Sequence, residues 1–335
     1  MTLRTRFTEA YELSTPIAQA GMAFVGMSPH LAVAVSRAGA LGALGVGILP
    51  VPAMNAAVAG IRAGTAKPFH VNLITPFATP AHVDALCATA PAAVSFHWGH
   101  PPREWLDRLH TAGVRVFEQV GSVDDALRAV DDGVDVVVAQ GREAGGHCAS
   151  ALPTFVLVPA VVDAVGPALV LAAGGISDGR GLAAALMLGA DGVFVGTRFV
   201  ATHESTAHDG YKARLVRASG ADTVSTSLFG PEQPAFNPMR VLRTKVVREW
   251  HDRVAARETA ERPTVGQLDL NGERMQLRRF DSIPPTTMTT GDLEEMALPA
   301  GQGVGLVDRV LPAATVVAEM TARAEELLGH GWGNH

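Results

Sequence analysis

Short apolar runs alternate along this chain with segments whose apolar residues recur every three to four positions. Runs rich in Val, Leu, Ala and Phe lie at 16–19, 40–44, 69–72, 93–96, 114–119, 134–139, 169–172 and 192–195, eight in all. Those at 134–139 and 169–172 are apolar rather than alternating, which fits strands covered by helices on their outer face. The segments between them carry helix signals. Ser28-Pro29 reads as an N-cap with proline at the first helical position, Leu31, Ala34, Val35 and Ala38 follow at helical spacing, and Gly39 closes the turn. Ser122-Val-Asp-Asp125 resembles a capping box ahead of Val123, Ala126, Leu127 and Val130. Ser177-Asp178 opens a helix with Leu182, Ala185 and Leu186 facing inward.

Strand ends recur about every 20 to 30 residues, the rhythm of repeated βα units. Eight units predict an α/β chain closed as a (β/α)8 TIM barrel, with an open doubly wound sheet as the alternative. The rhythm breaks after about residue 215. The stretch 224–238 has no barrel period, 241–261 reads as a charged helix, and 279–290 is rich in Pro and Thr. The expected organisation is a barrel from 1–215 plus 300–330, with a smaller, partly helical substrate or lid domain inserted at 216–299. An amphipathic helix at 312–328, with Val316, Met320, Ala324 and Leu327 on one stripe, is expected to return to the barrel.

Composition narrows the function. With 27 Lys+Arg against 33 Asp+Glu the formal charge is −6, and no basic cluster offers a nucleic-acid face. Cys87 and Cys148 can build neither a disulfide framework nor a C-x-x-C metal site, so a reducing cytoplasm is the simplest compartment. The N-terminus lacks an apolar signal-peptide core, and no stretch of about 20 residues reads as a membrane span. Small apolar helix faces serve a core or a homodimer interface equally, so the oligomeric state stays open.

In a (β/α)8 barrel the active site is built from loops at the C-terminal strand ends. Those loops begin here with Ala20-Gly21-Met22, Asn72, Gln119, the long Gln140-Gly-Arg-Glu-Ala-Gly-Gly-His147, Gly174-Gly175 and Gly196-Thr197. The loops after strands seven and eight are the common phosphate position. Their glycines let backbone N–H groups approach an anion and Thr197 adds a hydroxyl, although such glycines also simply make tight turns. The strand-six loop places Glu143 and His147 near the mouth, and His147 is the candidate general base because an imidazole titrates near neutrality. His97 and His100, beside Trp98, are candidate substrate-pocket residues. Their spacing could also suggest a metal, but no third ligand is evident, so no metal site is expected. Cys148 gives no sign of being a nucleophile. His203, Glu204 and His208 read as surface groups or groups behind the site.

The strand-six loop, with Ala172-Ala-Gly-Gly-Ile-Ser-Asp-Gly-Arg-Gly-Leu182 and Gly192-Val-Phe-Val-Gly-Thr-Arg-Phe199, resembles the nitronate monooxygenases, formerly called 2-nitropropane dioxygenases. Pro16-Ile-Ala-Gln-Ala-Gly-Met22, Lys67-Pro-Phe-His-Val-Asn-Leu73 and Ala300-Gly-Gln-Gly-Val-Gly-Leu306 are similar too. The resemblance is weak over 216–299. It implies a barrel that binds FMN non-covalently. Asn72, Gln119, Gln140, Gly145, Gly146, Gly175 and the turn Phe194-Val195-Gly196-Thr197 would then contact the cofactor, and Gly174-Gly175 with Gly196-Thr197 would hold its phosphate. Ala20, Gly21 and Met22 would lie against the flavin ring, and His147 would be the catalytic histidine. Two departures stand out: Ala-Gly-Met where the family often has Ala-Pro-Met, and Gln119 where some relatives have Lys.

The implied activity is FMN-dependent oxidation of alkyl nitronates by O2 to a carbonyl compound and nitrite, with nitroalkanes as a further substrate. Close relatives include NAD(P)H-dependent quinone and enoyl-thioester reductases, which share the Glu-Ala-Gly-Gly-His pattern. The phosphate argument taken alone also admits a flavin-free lyase, isomerase or phosphate-ligand sensor.

Overall fold

The computed structural model describes residues 3–270 and 272–329. The last residue of the expected barrel segment 300–330 lies outside that range. The first nine strands are β1 (Ile17–Gln19), β2 (Gly42–Gly45), β3 (Phe69–Ile74), β4 (Ala93–His97), β5 (Arg115–Val120), β6 (Val136–Gln140), β7 (Gly146–His147), β8 (Leu169–Ala173) and β9 (Gly192–Val195). Eight of these, all but β7, form one parallel sheet in the order β1-β9-β8-β6-β5-β4-β3-β2. The expected (β/α)8 barrel is therefore the fold, and the open-sheet alternative falls. Each strand lies within two residues of its expected position, because a strand buried on both faces must be apolar along its length.

The seam between β1 and β2 is closed by one bridge and one side chain. Ala18 bridges Leu41 in parallel. Past that bridge the Gln19 amide takes the place of a missing ladder peptide: Nε2 donates to the Ala43 carbonyl (3.0 Å) and Oε1 accepts from the Ala43 N–H (3.1 Å). A buried amide with both ends satisfied adds to stability where an unpaired one would cost about 1–3 kcal/mol.

Helices α1 (Arg6–Tyr11), α2 (Pro29–Arg37), α3 (Val51–Gly64), α4 (Pro80–Thr89), α5 (Arg103–Thr111), α6 (Val123–Asp131), α7 (Thr154–Val165) and α8 (Gly179–Met187) precede or follow the barrel strands. Ser28 caps α2 as expected, its hydroxyl accepting from His30 N–H. Ser122 caps α6 through Asp125 N–H, but the Asp125 carboxylate takes the serine hydroxyl (2.8 Å) rather than reaching back to the backbone. The expected face of α6 is turned. Ala126 and Ala129 are buried, Val123 and Val130 pack partly buried against the core, and Leu127 is 42% exposed, so the covered side of the helix runs through the alanines rather than Leu127.

Beyond the barrel follow α9 (Thr197–Val200), α10 (Asp209–Arg217), β10 (Thr223–Thr226), β11 (Met239–Leu242), α11 (Lys245–Trp250), β12 (Thr264–Leu270), β13 (Glu273–Arg278), β14 (Thr289–Gly291) and α12 (Ala313–Gly329). Residues 216–299 thus carry five strands among the described residues, more strand than the expected partly helical character. The charged segment is α-helical only over Lys245–Trp250 and continues as 3-10 turns over His251–Thr259, with non-helical backbone at Arg253. β10 and β11 pair antiparallel, and β11 also pairs with β7, where Met239 faces His147 and Arg240 faces Gly146. β12 pairs with β13 and β14 in a separate sheet.

The amphipathic C-terminal helix does return to the barrel. α12 buries Val316, Met320 and Ala324 and lies against α8 and α2. Its approach to α8 depends on Gly179, where a Cβ would fall 2.5 Å from the Met320 carbonyl oxygen and 2.6 Å from Arg323 Cβ. Glu204 holds the start of α12, its carboxylate accepting from Ala313 N–H at 2.9 and 3.1 Å. Gly179→Ala should therefore push α12 off α8 and cost about 1–3 kcal/mol, the usual range for overpacking. Urea unfolding measures it, and an unchanged midpoint would contradict the tight contact.

Candidate functional site

Three chain segments meet at the C-terminal mouth of the barrel with backbone against backbone. The β6 loop reaches the segment that follows Ala300: Gln302 N–H donates to the Glu143 carbonyl at 2.8 Å. A Cβ on Gly145 would fall 2.6 Å from the Ala300 carbonyl carbon. One on Gly303 would fall 2.6 Å from the Gly175 carbonyl oxygen. Gly174 and Gly175 both have positive φ, +103° and +74°, which only glycine adopts without strain.

Glu143 ties this junction together. Its carboxylate accepts from Thr154 N–H at 2.9 and 3.0 Å, capping α7 from outside the helix. The Thr154 hydroxyl lies 3.0 Å from that carboxylate and 2.9 Å from the Gly174 carbonyl. Glu143 thus fixes the loop to the glycine turn, a role the sequence left undecided. The Cys148 thiol sits 3.4 Å from the Gly141 carbonyl, and burial pushes its pKa up, which disfavours a thiolate.

The junction encloses a small polar pocket of about 70 Å3, lined by Gly174, Gly175, Ser177, Phe194, Gly196, Thr197, Gly301 and Gly303 among others. Thr197 Oγ1 accepts the Gly301 N–H at 3.0 Å, so its own proton is available to another acceptor. Gly301 and Gly303 are pocket residues to which sequence reasoning gave no role. The alternating glycines of 301–305 were the available signal.

Ala20, Gln119, Gln140, Gly145 and Thr197 line both this pocket and a chamber of about 430 Å3. Gly21, Met22, Asn72, His97, Gly146 and His147 also line the chamber. Fifteen of the seventeen expected positions, His147 and His97 among them and counting Gly174, Gly175, Phe194 and Gly196 in the pocket, thus line this pair of adjoining cavities. Two do not. Val195 points away from the barrel interior into the core beneath the helices and is 1% exposed, because alternate strand residues face opposite sides. His100 faces a neighbouring cavity of about 340 Å3, where it pairs with the buried Glu118 and lies 3.6 Å from Asp125.

The outer walls of the chamber are largely apolar: Phe24, Ile48, Ile74, Phe77, Trp98, Met239, Ile283 and Pro284. Among the described lining residues of the chamber and the pocket there is no Lys or Arg. Phe24 and Trp98 hold positive φ, +65° and +66°, strained values for aromatic residues that cluster at functional sites. Trp98 meets the His147 ring edge-on, with centroids 4.1 Å apart and planes at 71°. The contribution of Met239, Ile283 and Pro284 was unreadable from sequence, since they arrive from residues far along the chain.

Desolvation, with a smaller push from His147, lowers the His97 pKa to about 3. Burial raises Glu118 to about 8, helped by Asp132 and Asp125. His203, Glu204 and His208 lie away from the chamber; Glu204 and His208 cap helices, His208 Nδ1 accepting from Gly210 N–H at 3.0 Å. Among the described residues no group of three or more His, Cys, Asp or Glu could hold a metal, and no helix is long and apolar enough to cross a membrane.

Fold and cavities together define a (β/α)8 barrel with an anion-sized pocket adjoining a largely apolar chamber at its C-terminal mouth. The family model for nitronate monooxygenase matches residues 4–86 and 77–323. The chain belongs to the nitronate monooxygenase family, and it is an oxidoreductase. It is 30% identical over 340 residues to a probable nitronate monooxygenase of Bacillus subtilis, covering 89% of this chain and 92% of that one. It is 38% identical over 248 residues to (3aS,4S,5R,7aS)-5-hydroxy-7a-methyl-1-oxo-octahydro-1H-indene-4-carboxyl-CoA dehydrogenase of Rhodococcus jostii, covering 73% and 67%. The solved structure of FabK from Thermotoga maritima superposes with a TM-score of 0.81 at 35% identity over 97% of both chains.

The environment of the buried imidazoles is testable. His70, fully enclosed inside the barrel, is lowered to about 4 by desolvation. The depressed values mean that His70 and His97 stabilise the fold above about pH 6.5 and lose that contribution as pH falls through their folded values. Glu118 works in the opposite sense: its contribution is present below about 4.5 and lost as pH rises towards 8. The NMR signals of the His70 and His97 rings should stay at neutral-ring positions down to about pH 5. A midpoint near 6.5 for either ring would contradict its burial.

Proposed function

We propose that this protein binds FMN along the continuous cavity and oxidises alkyl nitronates with O2, giving a carbonyl compound and nitrite. The observation that carries the reading is the union of a glycine-walled pocket with the larger chamber. The residues present suit the group. The pocket supplies glycine backbone and the Thr197 and Ser177 hydroxyls to a phosphate, with no Cβ in the way at Gly175, Gly196 or Gly303. The side-chain amides of Asn72, Gln119 and Gln140 would meet the polar edges of the cofactor, and Ala20, Gly21 and Met22 leave room for its ring. Bound FMN would accept electrons from the substrate and pass them to oxygen.

The chain's own residues do the rest. The apolar walls exclude water and favour an alkyl substrate. His97, neutral at working pH, adds no charge. His147, on the short strand β7, is the general base that would take the α-proton from a neutral nitroalkane. A nitronate has already lost that proton. His147→Ala should therefore retain FMN, lower turnover of a neutral nitroalkane by about 10²–10⁴-fold, and affect the corresponding nitronate much less. Steady-state rates with both substrates measure this, and unchanged nitroalkane turnover would remove His147 from the chemistry.

A second reading keeps the flavin and changes the electron donor to NAD(P)H, with a quinone or an enoyl thioester as acceptor. The likeness to a carboxyl-CoA dehydrogenase and the room beside the chamber support it. Anaerobic mixing with NADH or NADPH separates the two readings. Flavin colour that persists is the expected result; rapid bleaching would favour the reductase.

A further inference from the structure

Beneath the chamber runs a row of polar side chains where a barrel interior is ordinarily filled by branched apolar residues. Gln19 and His70 are fully buried, Ser95 is 2% exposed and Asn72 6%. His70 Nε2 lies 2.8 Å from the Gln19 carbonyl oxygen, and Nδ1 lies 3.0 Å from Ser95 Oγ. Asn72 Nδ2 lies 2.9 Å from the same Oγ and 3.3 Å from the Ser95 carbonyl.

The donors and acceptors can be assigned in only one way. A carbonyl oxygen only accepts, so His70 carries its proton on Nε2. A neutral imidazole then has an acceptor at Nδ1, and the Ser95 hydroxyl must donate to it. That leaves the Ser95 oxygen to accept, and the Asn72 amide nitrogen donates to it. Burial keeps His70 neutral well below working pH, so the assignment is stable. Asn72 Oδ1 is the remaining end of the amide. It lies on the Gly21 side, 2.6 Å from where a Cβ on that residue would sit, and Asn72 and Gly21 both line the chamber. A Phe at position 70 could stack on Phe117 as His70 does (5.6 Å, 16°), so packing alone does not call for a histidine.

We propose that His70 and Ser95 are positioning residues that lock the Asn72 amide with its carbonyl oxygen towards the chamber, so that the ligand group it meets there is an N–H or O–H donor. The proposal rests on the FMN reading. FMN has donors of both kinds: the imide N–H of its ring and the hydroxyls of its ribityl chain. Gly21 belongs to the same arrangement, since a side chain there would displace the oriented amide.

The test is a double-mutant cycle on FMN binding, read as the dissociation constant and as the position of the flavin absorption bands. Ser95→Ala should weaken FMN binding about fivefold and shift the bands, as expected for the loss of one oriented hydrogen bond. In an Asn72→Ala background, Ser95→Ala should change neither by more than about twofold, because its effect passes through Asn72. His70→Phe, which keeps the ring stack and removes the acceptor, should reproduce the Ser95→Ala spectrum and serves if Ser95→Ala does not fold. Equal weakening in both backgrounds would mean a merely structural role and overturn the proposal, as would unchanged affinity and spectrum. Wild-type protein that takes up no FMN would overturn the flavin reading and this proposal with it; wild-type protein that binds FMN while the cycle shows no coupling overturns the positioning role alone.

Discussion

The site depends on backbone meeting backbone at the barrel mouth. The β6 loop, the Gly174-Gly175 turn and the 301–303 segment come so close that side chains would collide at Gly145, Gly174 and Gly303. Close approach of this kind leaves peptide groups, rather than charged side chains, to face the small pocket. Glu143 and Thr154 then anchor the loop to the turn and to α7, so the pocket is held by helix capping as much as by the barrel. Among the described residues that line it there is no Lys or Arg, so what the pocket presents is shape and hydrogen-bond direction.

Above that junction the character changes. The chamber walls come from the barrel loops and from the 216–299 region, and their outer part is largely apolar. His147 belongs to both parts. It lies in the β6 loop, yet its backbone is fixed by pairing with Met239 of β11 and its ring by Trp98. A relative can therefore keep the barrel, the glycine junction and the histidine while its chamber wall changes. Proteins similar to this chain carry names as different as nitronate monooxygenase, at 30% identity, and carboxyl-CoA dehydrogenase, at 38%.

How well each part could be read from sequence follows from which forces are local. Helix faces were placed less well than strands: Leu127 has helical spacing but faces solvent, since the sheet decides which side of α6 is covered. Much of β12 and β13 is half-buried or exposed, so their residues give no apolar run, and their pairing with each other and with β14 left no periodic signal. Val195 and His100 lie outside the chamber lining for a related reason. Motif position locates a residue along the chain, whereas the pleat and the neighbouring loop decide which way its side chain points.

The sequence alone determined the barrel, the order of its loops and the glycines at the mouth, because burying both faces of a parallel strand and turning a chain tightly each leave a mark within a few residues. Tertiary structure alone decided the chamber wall, the pairing that fixes His147, and the buried row from Gln19 through His70 and Ser95 to Asn72. Those depend on hydrogen bonds and contacts between residues far apart in sequence, and a donor or acceptor acquires its direction only when its partner arrives.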